Sequence, residues 1–353
     1  MRVLFFSPMP SKPTGGVRVI YSYVAKFRNI GIDAYIYHPL DNYSYKYTDD
    51  NVPVYRGKKI SKSDHVVIPD VYVSRLNSNN FSKDLKYSLL IQNPYILRSL
   101  SRFSNLENIL LAFSNASKIL CISDDTMEMI KQISPLSEKK LMRVSWSMQS
   151  NSFLSKEKKQ KLITYMPRKN ITHINLLHEC LASNLPKDWS IASIEGVSQA
   201  ELVKILHQSA IFLQFGSFEG LPAPPVEAAI SGNYVVGYHG NGGKEYWHLP
   251  NFIEINTGDI SKFAKEVLSL VNELDEGDRA SDELNNGINS LIEKFSEENE
   301  LSHLIKFIDD ISKITSNCDD SEQLSVNLPF KENFISYHLN RVITKYLQLK
   351  DGY

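Results

Sequence analysis

Glu219 and Glu227 flank a turn of glycine and proline in the stretch Ser217 to Gly232, SFEGLPAPPVEAAISG. Pro224 or Pro225 suits the first turn of a helix, where a missing N–H costs nothing. Glu227 then falls in the opening turns of that helix and Glu219 on the loop just before it. The free N–H groups of a helix N-terminus, with its partial positive charge, form a ready site for an anion such as a diphosphate. Two carboxylates beside such a site are poor phosphate ligands but good acceptors for sugar hydroxyls. The arrangement suits a nucleotide sugar, phosphates on amides and hydroxyls on carboxylates; the competing reading of the pair is solvated surface. A second cluster, Gly240-Asn241-Gly242-Gly243-Lys244-Glu245, either lets backbone approach the same ligand, with Lys244 near phosphate, or is a tight turn.

The elements that must position these residues alternate between strand and helix. Val3-Leu4-Phe5-Phe6 is a short apolar run that stops at Ser7-Pro8, as a buried parallel strand does. After Thr14-Gly15-Gly16, apolar residues at Val19, Ile20, Tyr23, Val24 and Phe27 recur at helical spacing up to Gly31. Ala34–Tyr37 is the next strand, and this opening is the unit of a doubly wound α/β domain. Further strands are expected at His65–Ile68, Ser88–Ile91 and Lys118–Ile122, the last followed by a helix capped by Ser123. A polar, lysine-rich stretch over 151–160 reads as a linker. Beyond it the alternation repeats, with strands at 162–166, 190–194, 210–214 and 234–237 and helices over 200–207 and from Val226. The chain thus reads as class α/β, with Rossmann-like domains over 1–150 and 161–315 and a cleft between them. An extension over 316–353 carries a last helix, about 332 to 349, whose apolar stripe packs on its own protein, the N-terminal domain being the expected seat.

Composition agrees with this layout. The 353 residues are 42% hydrophobic and 22% charged, with a net charge of −1, which excludes a disordered tail and a dedicated nucleic-acid binder. The charge is divided unevenly: residues 1–150 carry 20 basic and 12 acidic side chains, the remainder 19 and 28. Such asymmetry can orient a molecule against an anionic surface. No apolar run reaches the roughly 18 residues of a membrane span, and MRVLFFSPMP reads as strand and turn rather than a leader. The three cysteines, Cys121, Cys180 and Cys318, show neither disulfide nor zinc spacing.

The run Glu219-Gly220-Leu221-Pro222-Ala223-Pro224-Pro225-Val226-Glu227-Ala228-Ala229 resembles the donor site of the retaining GT-B glycosyltransferases of the group-1 (family-4) type. In that family one glutamate, seven intervening residues and a second glutamate followed by alanine recur. The resemblance continues through Ser231-Gly232-Asn233-Tyr234-Val235-Val236-Gly237 and includes Gly15-Gly16 after the first strand and Ile122-Ser123 before a helix. Ile194-Glu195-Gly196-Val197, followed by Glu201-Leu202, resembles the loop that holds the nucleotide base. Together these features span residues 1–310.

The resemblance implies a GT-B fold, with parallel sheets facing across an interdomain cleft, and residue roles within it. Glu227 would bind the ribose hydroxyls and Glu219 would face the donor sugar. Gly16 would let backbone approach the diphosphate, and Arg168 and Lys169 would meet the charge of the departing diphosphate. Gly196, Val197, Gly220, Leu221, Gly242, Gly243 and Lys244 would complete the donor site; Gln92, Asn93 and Tyr95 are acceptor-side candidates. The implied reaction moves one sugar, with retention and without a metal, from a UDP- or GDP-type nucleotide-diphosphate sugar to a glycan or lipid-linked acceptor, as in cell-surface polysaccharide synthesis. No cofactor is implied beyond that co-substrate. The expected setting is cytoplasmic, with peripheral attachment to an anionic membrane surface.

Other readings of the same layout fare worse. A dehydrogenase needs G-x-G-x-x-G between strand and helix, whereas the first loop offers only Gly15-Gly16 and the later cluster has Glu245 where a third glycine would fall. Neither Asp-x-Asp nor H-E-x-x-H occurs in the sequence. A nucleotide-sugar epimerase on the same fold and a non-catalytic partner that has lost turnover are the alternatives kept.

Overall fold

The computed structural model describes residues 1–38, 43–48, 50–57, 59–74, 76, 85–97, 106–148, 150–155, 157–277, 281–315 and 323–325; Cys318 and the helix expected over 332–349 lie outside them. By contact the chain separates into two units. One comprises Met1–Ile122, Thr126–Val144 and the residues from Leu301 onward; the other comprises Ser123–Asp125 and Ser145–Glu300.

The first unit follows the alternation in the sequence. β1 (Val3–Phe6), α1 (Gly15–Asn29), β2 (Ala34–Tyr37), β3 (Val54–Tyr55), β4 (Lys59–Ser61), β5 (His65–Pro69), α2 (Asp70–Val73), β6 (Tyr87–Ile91), α3 (Leu106–Asn115), β7 (Ile119–Cys121), α4 (Asp124–Ile133) and β8 (Leu141–Arg143) succeed one another. Seven of these strands form a parallel sheet in the order β3-β2-β1-β5-β6-β7-β8. Its central strands are buried along their whole length, which is why they read as continuous apolar runs and not as alternation. α1 lays Val17, Ile20, Val24 and Phe27 on the sheet, each fully buried aliphatic or aromatic side chain stabilising by about 1.5–3 kcal/mol.

In the second unit α5 (Ser150–Phe153), β9 (Gln160–Tyr165), α6 (Ile171–Ala182), β10 (Ser190–Ser193), α7 (Gln199–Gln208), β11 (Ser209–Gln214), α8 (Ala223–Ile230), β12 (Tyr234–Gly237), β13 (Phe252–Glu254), α9 (Ile260–Glu276) and α10 (Ser281–Lys294) repeat the pattern. The parallel sheet runs β10-β9-β11-β12-β13. One face packs on α6 and α9 through Ile174, Leu177, Phe263 and Val267, the other on α7, α8 and α10 through Leu206, Val226, Ile230 and Leu291. Lys159 ties two helix ends together, its Nζ donating to the carbonyls of Leu206 and His207 at 3.0 Å each and to that of Ser231. Burial draws the Lys159 ammonium down to about 8.

After α10 the chain continues into α11 (Glu297–Thr315). From Leu301 its residues belong to the first unit: Phe307 packs against Phe27 and His65, and Asp310 pairs with Lys118 at 2.6 Å. β14 (Gln323–Ser325) then adds antiparallel to β4.

In both sheets the strand order reverses once, between β1 and β5 in the first and between β9 and β11 in the second. Ligands of open α/β sheets bind outside the carboxyl ends of the strands at such reversals. Those two points are where the chemistry-bearing residues should be sought.

Candidate active site

At the reversal of the second sheet, β9 runs into Arg168-Lys169-Asn170 and β11 into Ser217-Phe218-Glu219. Lys169 Nζ donates to Glu219 Oε1, closing an ion pair whose members are 43% and 22% exposed. Asn170, next to Lys169, ties the start of α6 to the loop that leaves β11. It sits in the left-handed region at φ 52° as the cap of α6, and its Nδ2 donates to the Phe215 carbonyl and, at 2.7 Å, to Ser217 Oγ. Sequence reasoning passed over Asn170, although an asparagine just ahead of the periodic Ile174, Leu177 and Leu181 was a legible helix start. Arg168 is exposed and makes no ion pair among the described residues.

Glu227 lies in α8, buried to 7% exposure, so the solvated-surface reading does not describe it. α8 starts where the prolines placed it, with one change to the expected chemistry. Of Pro222, Ala223, Pro224 and Pro225 only Ala223 carries an N–H, because a proline ring removes the donor. The helix tip therefore keeps its partial charge but has lost most of its amides. The amides available to an anion are those of Gly220, Leu221 and Ala223, which make no hydrogen bond among the described residues.

The second glycine cluster serves the Glu219 loop. Glu219 N–H donates to the Gly240 carbonyl at 2.8 Å, and Gly242 N–H donates to the Glu219 carbonyl at 3.1 Å. A Cβ on Gly242 would lie 1.9 Å from the Gly220 carbonyl oxygen, and one on Gly240, at φ 65°, 2.9 Å from Glu219 Cγ. The glycines are required so that backbone can approach backbone, which neither sequence reading anticipated. Gly242 and Gly243 are buried, and Lys244 is exposed and unpaired among the described residues. Tyr246, fully buried, donates its hydroxyl to the Pro222 carbonyl at 2.8 Å and fixes the other end of the loop. Gly242→Ala should therefore lower stability by about 1–3 kcal/mol, as overpacking does, and disorder the Glu219 loop. Gly15→Ala, with nothing within 4 Å, should leave the unfolding midpoint unchanged; urea denaturation of the two variants checks the contrast.

Gly196, at φ 70°, and Val197, 38% exposed, precede α7. A capping box holds that junction. Ser198 Oγ accepts from Glu201 N–H, and the Glu201 carboxylate accepts from Ser198 N–H at 2.8 Å, which draws its pKa down.

In the first unit the reversal gathers Gly15-Gly16 after β1, Asp70 after β5 and Gln92–Tyr95 after β6. Gln92 Nε2 donates to the Gly16 carbonyl at 3.0 Å, and Asn93 Oδ1 accepts from Tyr95 N–H to cap a 3-10 turn over Pro94–Ile96. Three tyrosines that sequence reasoning missed hold the β1–α1 loop. Tyr43 donates to the Pro10 carbonyl at 2.8 Å, Tyr47 to that of Ser11 at 3.0 Å and Tyr45 to that of Thr14 at 3.4 Å. The signal was the alternation Tyr-Ser-Tyr-Lys-Tyr, which in extended chain sends the three rings to one side.

No family model matches the sequence, and no curated protein matches it. Solved structures do resemble it. The lipopolysaccharide outer core galactosyltransferase WaaB in its apo form is 14% identical, with a TM-score of 0.62 over 89% of this chain and 100% of that one. Anabaena Alr3699/HepE in complex with UDP-glucose is 11% identical, with a TM-score of 0.63 over 88% of this chain and 99% of that one. TarM, known from S. aureus, is 15% identical with a TM-score of 0.53; 71% of this chain is covered, and the chain spans 55% of TarM's length. At such identities the likeness is one of fold.

Proposed function

From a chain that has the GT-B glycosyltransferase fold, we propose that this protein is a retaining glycosyltransferase that uses a nucleotide-diphosphate sugar of UDP or GDP type and a glycan or lipid-linked acceptor. The observation that carries the reading is the Lys169–Glu219 ion pair on the loops that leave β9 and β11, the two strands of the reversal, with Glu227 buried in the helix that follows. In it the Glu227 carboxylate accepts from the ribose hydroxyls and Glu219 from a hydroxyl of the donor sugar. The amides of Gly220, Leu221 and Ala223 face the diphosphate, Gly196 and Val197 the base. A surface ion pair as exposed as Lys169–Glu219 is worth at most about 1 kcal/mol. A phosphate can therefore take Lys169, and a sugar hydroxyl Glu219, at small cost.

In the reaction the bond from the anomeric carbon to the diphosphate oxygen breaks and its electron pair stays with the diphosphate. Lys169 and Arg168 meet that growing charge. The acceptor oxygen bonds to the same face of the carbon, and its proton passes to the departing phosphate oxygen. No metal enters this scheme, since cationic side chains and amides handle the leaving group. The first unit contributes Gly16 backbone toward phosphate and Gln92, Asn93 and Tyr95 toward the acceptor. Its basic side chains suit peripheral attachment at an anionic inner membrane surface. Among the described residues no helix is long and apolar enough to cross a membrane.

Thermal denaturation with UDP, GDP and ADP tests the donor site. A nucleotide at 100 times its Kd should stabilise by about 2.7 kcal/mol, visible as a clear rise in Tm. No shift with any of the three at millimolar concentration would overturn the assignment. Conversion of a nucleotide sugar in the absence of any acceptor would point to the epimerase instead.

A further inference from the structure

Asp70 is a carboxylate in an unexpected place. It follows β5 directly, as the first residue of α2, at the reversal of the first sheet and 5% exposed; among the described residues it shares such burial with Asp64, Glu227 and Glu300. Burial pushes its pKa up to about 6 against three backbone donors that draw it down. Those donors are specific: Oδ2 accepts from the Gln92 amide at 2.9 Å and the Asn93 amide at 2.7 Å, and Oδ1 from the Val71 amide at 2.8 Å. The first two belong to the loop that leaves β6, so the carboxylate fixes where that loop starts. Gln92 in turn donates from Nε2 to the Gly16 carbonyl, so close that a Cβ on Gly16 would lie 2.3 Å from Gln92 Oε1. The same stretch of backbone is held on its other flank by the Tyr45 hydroxyl at Thr14.

We propose that Asp70 is a positioning residue: through the Gln92 and Asn93 amides it sets the Gln92 side chain, and Gln92 sets the backbone at Gly16. A buried carboxylate shared by two successive amides resists displacement far more than a water-exposed contact, because an unpartnered donor or charge there is expensive. The relay joins the ligand-facing ends of β1, β5 and β6 into one rigid rim. It rests on the reading of that rim as part of a glycosyltransferase site, but its geometry can be tested without turnover.

The test compares Asp70→Ala, Asp70→Asn and Gln92→Ala in the full chain by hydrogen exchange, thermal denaturation and kinetics. In Gln92→Ala, which removes a partly exposed side chain, exchange across residues 14–18 should quicken at least tenfold while Tm stays that of the wild type. Turnover should fall by about tenfold to a hundredfold, the range expected for a misplaced site. Asp70→Asn keeps an oxygen for the Gln92 and Asn93 amides but turns its NH2 toward the Val71 N–H, so its exchange and turnover should lie between those of Asp70→Ala and wild type; Asp70→Ala should match or exceed the Gln92→Ala loss. Wild-type exchange at 14–18 in Gln92→Ala overturns the relay, whether or not Asp70→Ala folds. If the wild-type protein turns over no nucleotide sugar, the functional reading fails and the exchange result still decides the relay.

Discussion

Glu219→Ala should lower kcat by about a hundredfold to a thousandfold while leaving the affinity for the nucleoside diphosphate within about threefold, the pattern of a group whose interaction matters at the reacting sugar. Glu219 reaches the site on a loop fastened at both ends, by the Gly240 and Gly242 hydrogen bonds and by Tyr246 at Pro222. The truncation removes a carboxylate and leaves that fastening in place. It also releases Lys169, whose one described partner is Glu219, so nucleotide binding is no proxy for turnover. Steady-state kinetics with a transferable donor, beside calorimetric titration with the diphosphate, separates the two quantities. Equal losses in kcat and in affinity would place Glu219 at the nucleotide and not at the sugar.

Glu227→Ala should act the other way, weakening nucleoside diphosphate binding by about a hundredfold. Hydrogen bonds from hydroxyls to a charged acceptor contribute roughly 1.5–3 kcal/mol each, and Glu227 is buried where water competes poorly. Glu227→Gln keeps one acceptor oxygen and should fall between alanine and wild type. Because Glu227 is flanked by buried Val226, Ala228, Ala229 and Ile230, thermal denaturation without nucleotide must accompany the titration. A variant that binds the nucleotide as tightly as wild type would remove Glu227 from the site and, with it, the main support for a ribose contact.

The two expected effects differ because the two carboxylates are held differently. Glu227 is fixed by a helix packed under the sheet, suited to recognising a part of the ligand that stays put. Glu219 is fixed by a loop and paired with a lysine, suited to a part whose charge and geometry change during reaction. Asp70 belongs to neither class, since it faces amides and not ligand.

The sequence by itself determined the central strands, because a strand buried on both faces must be a continuous apolar run: Val3–Phe6, Ala34–Tyr37 and Tyr234–Gly237 coincide with β1, β2 and β12, whereas the short strands β3, β4, β8, β13 and β14 were not among those expected. It also determined the start of α8, because prolines tolerate only a first helical turn, and so the placing of Glu219 on a loop and Glu227 in a helix. Which amides remain at that tip was equally written there, in Pro222, Pro224 and Pro225, but it emerges only when donors are counted one by one. The tertiary structure alone decided the rest. That Lys169 meets Glu219, that Gly242 lies against Gly220 and that Asp70 gathers the amides of Gln92 and Asn93 are facts about strand order. Periodicity reports which face of an element is buried, and it is silent on which element lies next to it. These contacts join residues far apart in the chain, brought together only when the parallel strands assemble side by side.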